Sequence, residues 1–166
     1  MLPVSTTAAQ ESDAAVEYKI KAAFLLNFAK FISWPEESFT DEKQLFKVCV
    51  LGKNPFGSAL TAIKSRTVGS RKIDLNYVDD LEQAGSCHLL FISASEKNNL
   101  INIHKVLADK TIIMVSDIDG FVSSGGIIEF VRRDNKLAFK INLNRAREQG
   151  LEIHSALLNL AAEVIQ

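Results

Sequence analysis

Apolar residues around the stretch 17–35, EYKIKAAFLLNFAKFISWP, recur at three- and four-residue spacing: Val16, Ile20, Phe24, Phe28 and Phe31 or Ile32, with Ala23 and Asn27 between them. That period predicts a long helix with one wide apolar stripe, and it leaves Lys19, Lys21 and Lys30 at the flanks or in solvent. Ser12 or Asp13 can accept from the first-turn amides, and Glu17 sits near the positive end of the dipole. Pro35 drives Trp34 away from helical angles, so the helix is expected to end at about Ser33. Leu25 and Leu26 lie off the stripe and make the helix apolar over more than half its circumference. Either it is covered on both sides or it lies in an interface. A membrane span needs about 20 mostly apolar residues, and the uninterrupted run Ala22 to Leu26 is far shorter.

Beyond a polar connection, 36–44, the β-branched run Leu45 to Leu51 stops at Gly52 and predicts a first strand buried on both faces. Phe56 to Ile63 reads as a short helix, Lys72 to Val78 as a strand, Leu81 to Ala84 as a helical turn, and His88 to Ser93 as a strand. Glu96 to Leu107 reads as a helix with Leu100, Ile103 and Leu107 on one face, and Thr111 to Ser116 as a fourth strand. This alternation predicts an α/β fold, a Rossmann-like three-layer sandwich with a mostly parallel sheet. Ile127 to Arg132 and Leu137 to Leu143, joined by the turn 133–136, predict a C-terminal antiparallel hairpin. A last helix from about Ile153 to Ile165 should place Leu157, Leu158, Ala161 and Ile165 on the sheet.

With 166 residues, 47% of them hydrophobic and 23% charged, the chain is long enough for one domain with a proper core. We expect a disordered N-terminal remnant at 1–12 and a single domain over 13–166. A net charge of −1, spread evenly, argues against a nucleic-acid or anionic-membrane surface. Arg132, Arg133, Arg145 and Arg147 read as solvated turn and helix faces. Cys49 and Cys87 are too far apart for a redox pair; they form one disulfide or two buried thiols. The small residues Ser5 to Ala9 would suit the end of a signal peptide, which leaves export open.

Candidate chemistries fail one by one. Gly52 to Ser58 imitates the glycine spacing of a phosphate-binding loop, but Ser58 and Ala59 stand where Lys and Ser or Thr are required, and Pro55 removes a backbone donor. A phospho-receiver needs a carboxylate at the end of its third strand, where Ser93 stands. Asp117-Ile-Asp119-Gly120 opens like a calcium loop, yet further carboxylates do not follow. His88, His104 and His154 have no nucleophile beside them in any known motif; His154 alone is expected to border a cleft. The residues supply no catalytic constellation, metal site or cofactor site.

An ordered set of motifs nevertheless runs from Tyr18 to the C-terminus: Lys21-Ala-Ala-Phe24, Asn27-Phe28, Lys30-Phe31, Trp34-Pro35, Leu51-Gly52, Pro55-Phe56-Gly57, Cys87-His88, Phe91-Ile92-Ser93, Ser116-Asp117, Gly120-Phe121, Gly125-Gly126-Ile127, Phe139-Lys-Ile-Asn142 and Leu157-Leu158. In these the chain resembles the YfiR family of bacterial periplasmic regulators. The resemblance implies a non-enzymatic, dimerising periplasmic protein without a cofactor. Its partner would be the periplasmic domain of an inner-membrane diguanylate cyclase, which it inhibits by contact until an outer-membrane lipoprotein sequesters it, so that cyclic-di-GMP and biofilm formation follow. The alternative is a periplasmic sensor domain that binds a small molecule and reports to a kinase. A pocket of convergent polar groups would favour the sensor, and an exposed apolar patch the regulator. The resemblance further implies that Cys49 and Cys87 form a disulfide, at the positions of a bridged pair in the relative; neighbouring first and third strands would allow it. A second pair found in that relative has no counterpart near Ser123 to Phe130. Asn142, Arg145 and His154 are the candidates for a partner or ligand surface.

Overall fold

In the computed structural model, which describes residues 12–166, α1 (Asp13–Phe31) opens with Ser12 accepting from the Ala15 amide through its hydroxyl. The expected N-terminal remnant lies outside the described residues except for Ser12. The helix ends earlier than its sequence predicts, because Ile32–Ser33 leave helical angles to form β1, paired antiparallel with Glu152–Ile153. Its buried face is also rotated from the expected stripe. Ala22, Leu25, Phe28 and Ala29 pack inward with Ile32, while Val16 and Ile20 stay more than 40% exposed. The long side chain of Lys21, expected at the flank, is buried.

The remaining elements are β2 (Phe46–Leu51), β3 (Thr67–Val68), β4 (Arg71–Val78), α2 (Leu81–Ala84), β5 (Leu89–Ile92), α3 (Leu100–Val106), β6 (Ile113–Ser116), β7 (Ile128–Arg133), β8 (Lys136–Asn142), α4 (Leu143–Glu148), β9 (Glu152–Ile153), α5 (Ser155–Leu160) and β10 (Glu163–Ile165). Two predicted helices are in part 3-10 turns, over Ala59–Ser65 and Ala94–Asn99. The expected last helix is two elements. The helix stops at Leu160, and Glu163–Ile165 continue as a strand parallel to β8, because that sheet edge supplies backbone partners that an isolated helical turn would lack.

The result is a mixed α/β fold with an eight-stranded, mostly parallel sheet in the order β10-β8-β7-β6-β5-β2-β4-β3. Antiparallel pairing is confined to β3 with β4 and β7 with β8. The latter two join through Asp134 and Asn135, both at positive φ, as a two-residue turn between right-twisted strands requires. Alternate residues of the central strands feed two cores. Phe46, Val48, Val50, Leu89 and Phe91 meet α1, α4 and α5, whereas Cys49, Leu51, Leu90 and Ile92 meet α2, α3 and the loop after β6.

Candidate functional site

The C-terminal end of β6 is where α1 meets the sheet through charge rather than apolar area. Ser116, fully buried, donates to the Ile92 carbonyl at 2.6 Å and accepts from the Ile118 amide at 3.1 Å, which turns the chain so that Ile118 enters one core and Asp117 meets α1 on the other side. The rest of this loop is held by Glu129, a buried carboxylate on β7 that accepts from the Val122 amide at 3.0 Å and from Gly120 at 3.4 Å. Gly126 closes the loop against Phe121: a Cβ there would lie 2.2 Å from the ring.

Asp117 accepts from Lys21 Nζ at 2.8 Å and from the Tyr18 hydroxyl at 2.6 Å. Lys21 also reaches Glu17, one turn earlier, at 3.3 Å, and Glu17 receives Arg132 from β7. The ammonium stands 4.3 Å from the Tyr18 ring centre. Burial, and then the hydrogen bond and charge of Asp117, push the Tyr18 hydroxyl well above its usual pKa, so it remains a donor. Two carboxylates therefore hold the buried Lys21, and the chemistry of the cluster is fastening: removing Lys21 would leave Asp117 without its cation.

Above this cluster, α1 and the β7–β8 hairpin enclose an open groove of about 670 Å³ whose apolar lining is Val16, Ile20, Phe24 and Leu137. Asp13, Glu17, Arg132, Asn135 and Lys136 complete it, and a smaller polar recess of about 270 Å³ adjoins it through Glu17, Arg132 and Leu137.

The three candidate surface residues are not one constellation. Asn142 caps α4, accepting from the Arg145 amide at 3.0 Å while its amide donates to the Val122 carbonyl. Arg145 extends to Glu148 and to the Ala108 carbonyl. His154, in a different segment, stands at the N-cap position of α5 with its backbone carbonyl accepting from the Leu157 amide, and its ring is 6.4 Å from that of Phe31. The other two histidines are packed. His88 lies between Phe39 and Phe46, accepting from the Lys47 amide through Nδ1, and burial lowers its pKa. His104 lies tilted against Phe121, and burial followed by the charge of Arg145 lowers its pKa. In the glycine loop after β2, Asn54 takes the Phe56 amide and Ser95 takes that of Lys53, so these two donors are engaged within the protein.

Cys49 and Cys87 form a disulfide with Cα atoms 6.1 Å apart, inside the range a bridge needs. It ties β2 to the turn between α2 and β5. Lys21 was missed as a site residue because the helical period places it beside the apolar stripe. A signal was present in Glu17 four residues earlier, and in two of the quoted motifs, Lys21-Ala-Ala-Phe24 and Ser116-Asp117, which this ion pair joins.

The family model described as YfiR/HmsC-like matches residues 18–162. No curated protein sequence matches the chain. Among solved structures, a conserved domain protein from Vibrio cholerae O1 biovar El Tor is similar, with a TM-score of 0.55 at 10% identity over 73% of this chain. The match spans about half of that protein, 55% of its chain, and at such identity the likeness is one of fold.

Proposed function

The chain belongs to the YfiR/HmsC-like family, and from that premise we propose that it is a periplasmic, non-catalytic regulator that inhibits an inner-membrane diguanylate cyclase by binding the cyclase's periplasmic domain. Cyclic-di-GMP, and biofilm formation with it, would then follow how much regulator is free, and an outer-membrane lipoprotein would relieve inhibition by sequestration. The observation that carries the reading is the groove along α1. It is wide, open and apolar at its floor, and Val16 and Ile20 expose area there that a folded domain normally covers. A small-molecule sensor would instead converge several free polar groups on an enclosed pocket. Here Lys21, Asp117 and Glu17 satisfy one another. The disulfide accords with an oxidising compartment. Among the described residues no helix is long and apolar enough to cross a membrane, which fits a partner that is itself the membrane component.

The test is titration of the purified protein against the periplasmic domain of a cyclase encoded beside it, together with cyclase activity in membranes. Saturable binding, with activity falling in parallel, is the expected result. Unaltered activity at saturating regulator would overturn the reading.

A further inference from the structure

The eight-stranded sheet ends at β3, and β3 is too short to close it. It pairs with β4 only at Arg71 and Lys72, through Val68 and Thr67, whereas β4 runs on to Val78. On its inner side β4 is paired with β2 from Ile73 to Val78. The Gly52 amide donates to the Val78 carbonyl at 3.3 Å, so the main chain of Val78 faces β2, and strand alternation turns that of Asp74 and Asn76 the same way. Leu75 and Tyr77 therefore carry their amide and carbonyl groups on the outer side, where no group among the described residues bonds them. Neither a proline nor a bulge, the usual means of blunting such an edge, interrupts the stretch 73–78.

We propose that the outer edge of β4 is a docking site for one extended strand of a partner protein, added antiparallel along Asp74–Val78. Unpaired main-chain groups are recognised by another main chain, and the side chains around them select its sequence. Leu75 is half-buried and Tyr77 is 46% exposed. The residues opposite these two are therefore apolar, and the one between them, opposite Asn76, is polar. The exposed cations Arg66 and Lys72 stand at one end of the edge and the exposed Asp79 at the other, none of them in an ion pair among the described residues. An antiparallel strand with a cation at its start and a carboxylate at its end complements both. A second copy of this chain does not fit the lane. Pairing that used Leu75 and Tyr77 of both copies would set Lys72 of one opposite Asp80 of the other, where β3 already occupies the space that the Asp79–Asp80 backbone needs. The site stands whether or not a cyclase supplies the strand.

The probe is a capped hexapeptide, Lys-Val-Thr-Val-Thr-Glu, titrated into the isotope-labelled full chain and followed by amide NMR. The Leu75 and Tyr77 amide signals should move with a dissociation constant of about 0.1–1 mM. Both amides, rapid in hydrogen exchange in the protein alone, should slow at least about fivefold at saturating peptide. The same peptide N-methylated at both valines, which removes the two donors that face the edge, should bind at least about tenfold more weakly. Exchanging its terminal lysine and glutamate should weaken binding about two- to fivefold, and Lys72→Glu should shift the preference toward the exchanged peptide at an unchanged melting temperature. Signals that move along the α1 groove and not at Leu75 and Tyr77, equal binding of the N-methylated peptide, or no binding at about 5 mM overturn the proposal. So do Leu75 and Tyr77 amides already protected in the protein alone, since the edge is then covered by this chain or by a second copy of it.

Discussion

Under α1 the sheet carries a continuous apolar cluster rich in rings, in which Phe28 lies 5.0 Å from Phe139 and 5.7 Å from Phe130 between ring centres. The face under α2 and α3 buries half as many residues, beneath two short helices and an irregular loop. The disulfide falls on this second face. The contrast shows where covalent restraint matters. A long helix brings enough side chains to exclude water by itself, whereas helices of one or two turns are marginal and gain from any reduction of freedom in the unfolded chain.

Four measurements test whether the two faces differ in this way. Phe28→Ala should have the largest effect, lowering the urea-derived stability by about 3–5 kcal/mol; a loss under about 1 kcal/mol would mean that the larger face repacks freely. Next comes the Cys49→Ala/Cys87→Ala pair. The loop-entropy model gives a ceiling of about 4 kcal/mol for the 38-residue separation, seen as a melting temperature several degrees lower. Thiol titration of the denatured, unreduced wild type should find none free. Equal melting temperatures with and without the bond would erase the contrast.

Gly126→Ala follows at about 1–3 kcal/mol, since the fully buried Phe121 ring must move within the thinner core. A variant as stable as wild type would show that the loop yields. The smallest effect is that of pH at His88. Burial lowers its pKa in the folded protein, so the unfolded chain, near 6.5, takes up the proton first. The neutral ring therefore contributes stability that is complete above about pH 6.5 and declines as pH falls toward the lower folded value. His104 is lowered in the same direction, so the comparison is between wild type and His88→Gln. The variant should show the flatter decline in urea midpoint between about pH 7 and pH 5, and identical slopes would refute the assignment.

The central strands are legible in the sequence because β2, β5 and β6 are buried on both faces and read as apolar runs, broken only by Lys47 in β2 and ended by Ser116 in β6. The cap at Ser12 and the turn at Asp134-Asn135 are local chemistry and equally plain. The buried side of α1 was not legible. Apolar residues occupy opposite sides of that helix, so periodicity fits two solutions, and the choice depends on Phe130 and Phe139, more than a hundred residues away. Strands β1, β9 and β10 have two or three residues each and exist because a partner passes by. Of the candidate site, Cys49 and Cys87 could be paired from the resemblance, while Asn142, Arg145 and His154 are candidates by polar type, which does not fix their neighbours: Asn142 and Arg145 meet at the start of α4 and His154 stands apart at the start of α5. The ion cluster on α1 escaped because Asp117 is 96 residues from Lys21.

The short β1–β9 pairing has a consequence in time. It joins Ile32 to Ile153, so the end of α1 is fastened by a segment more than a hundred residues further along the chain. Contacts of such sequence separation form slowly, because a long loop must close before they return any energy. Without Glu152–Ile153, α1 would keep its ring contacts to β7 and β8 but lose the pairing that fixes the strand leaving it. The topology thus leaves the exit of α1 unfixed until the segment that carries β9 has folded into place.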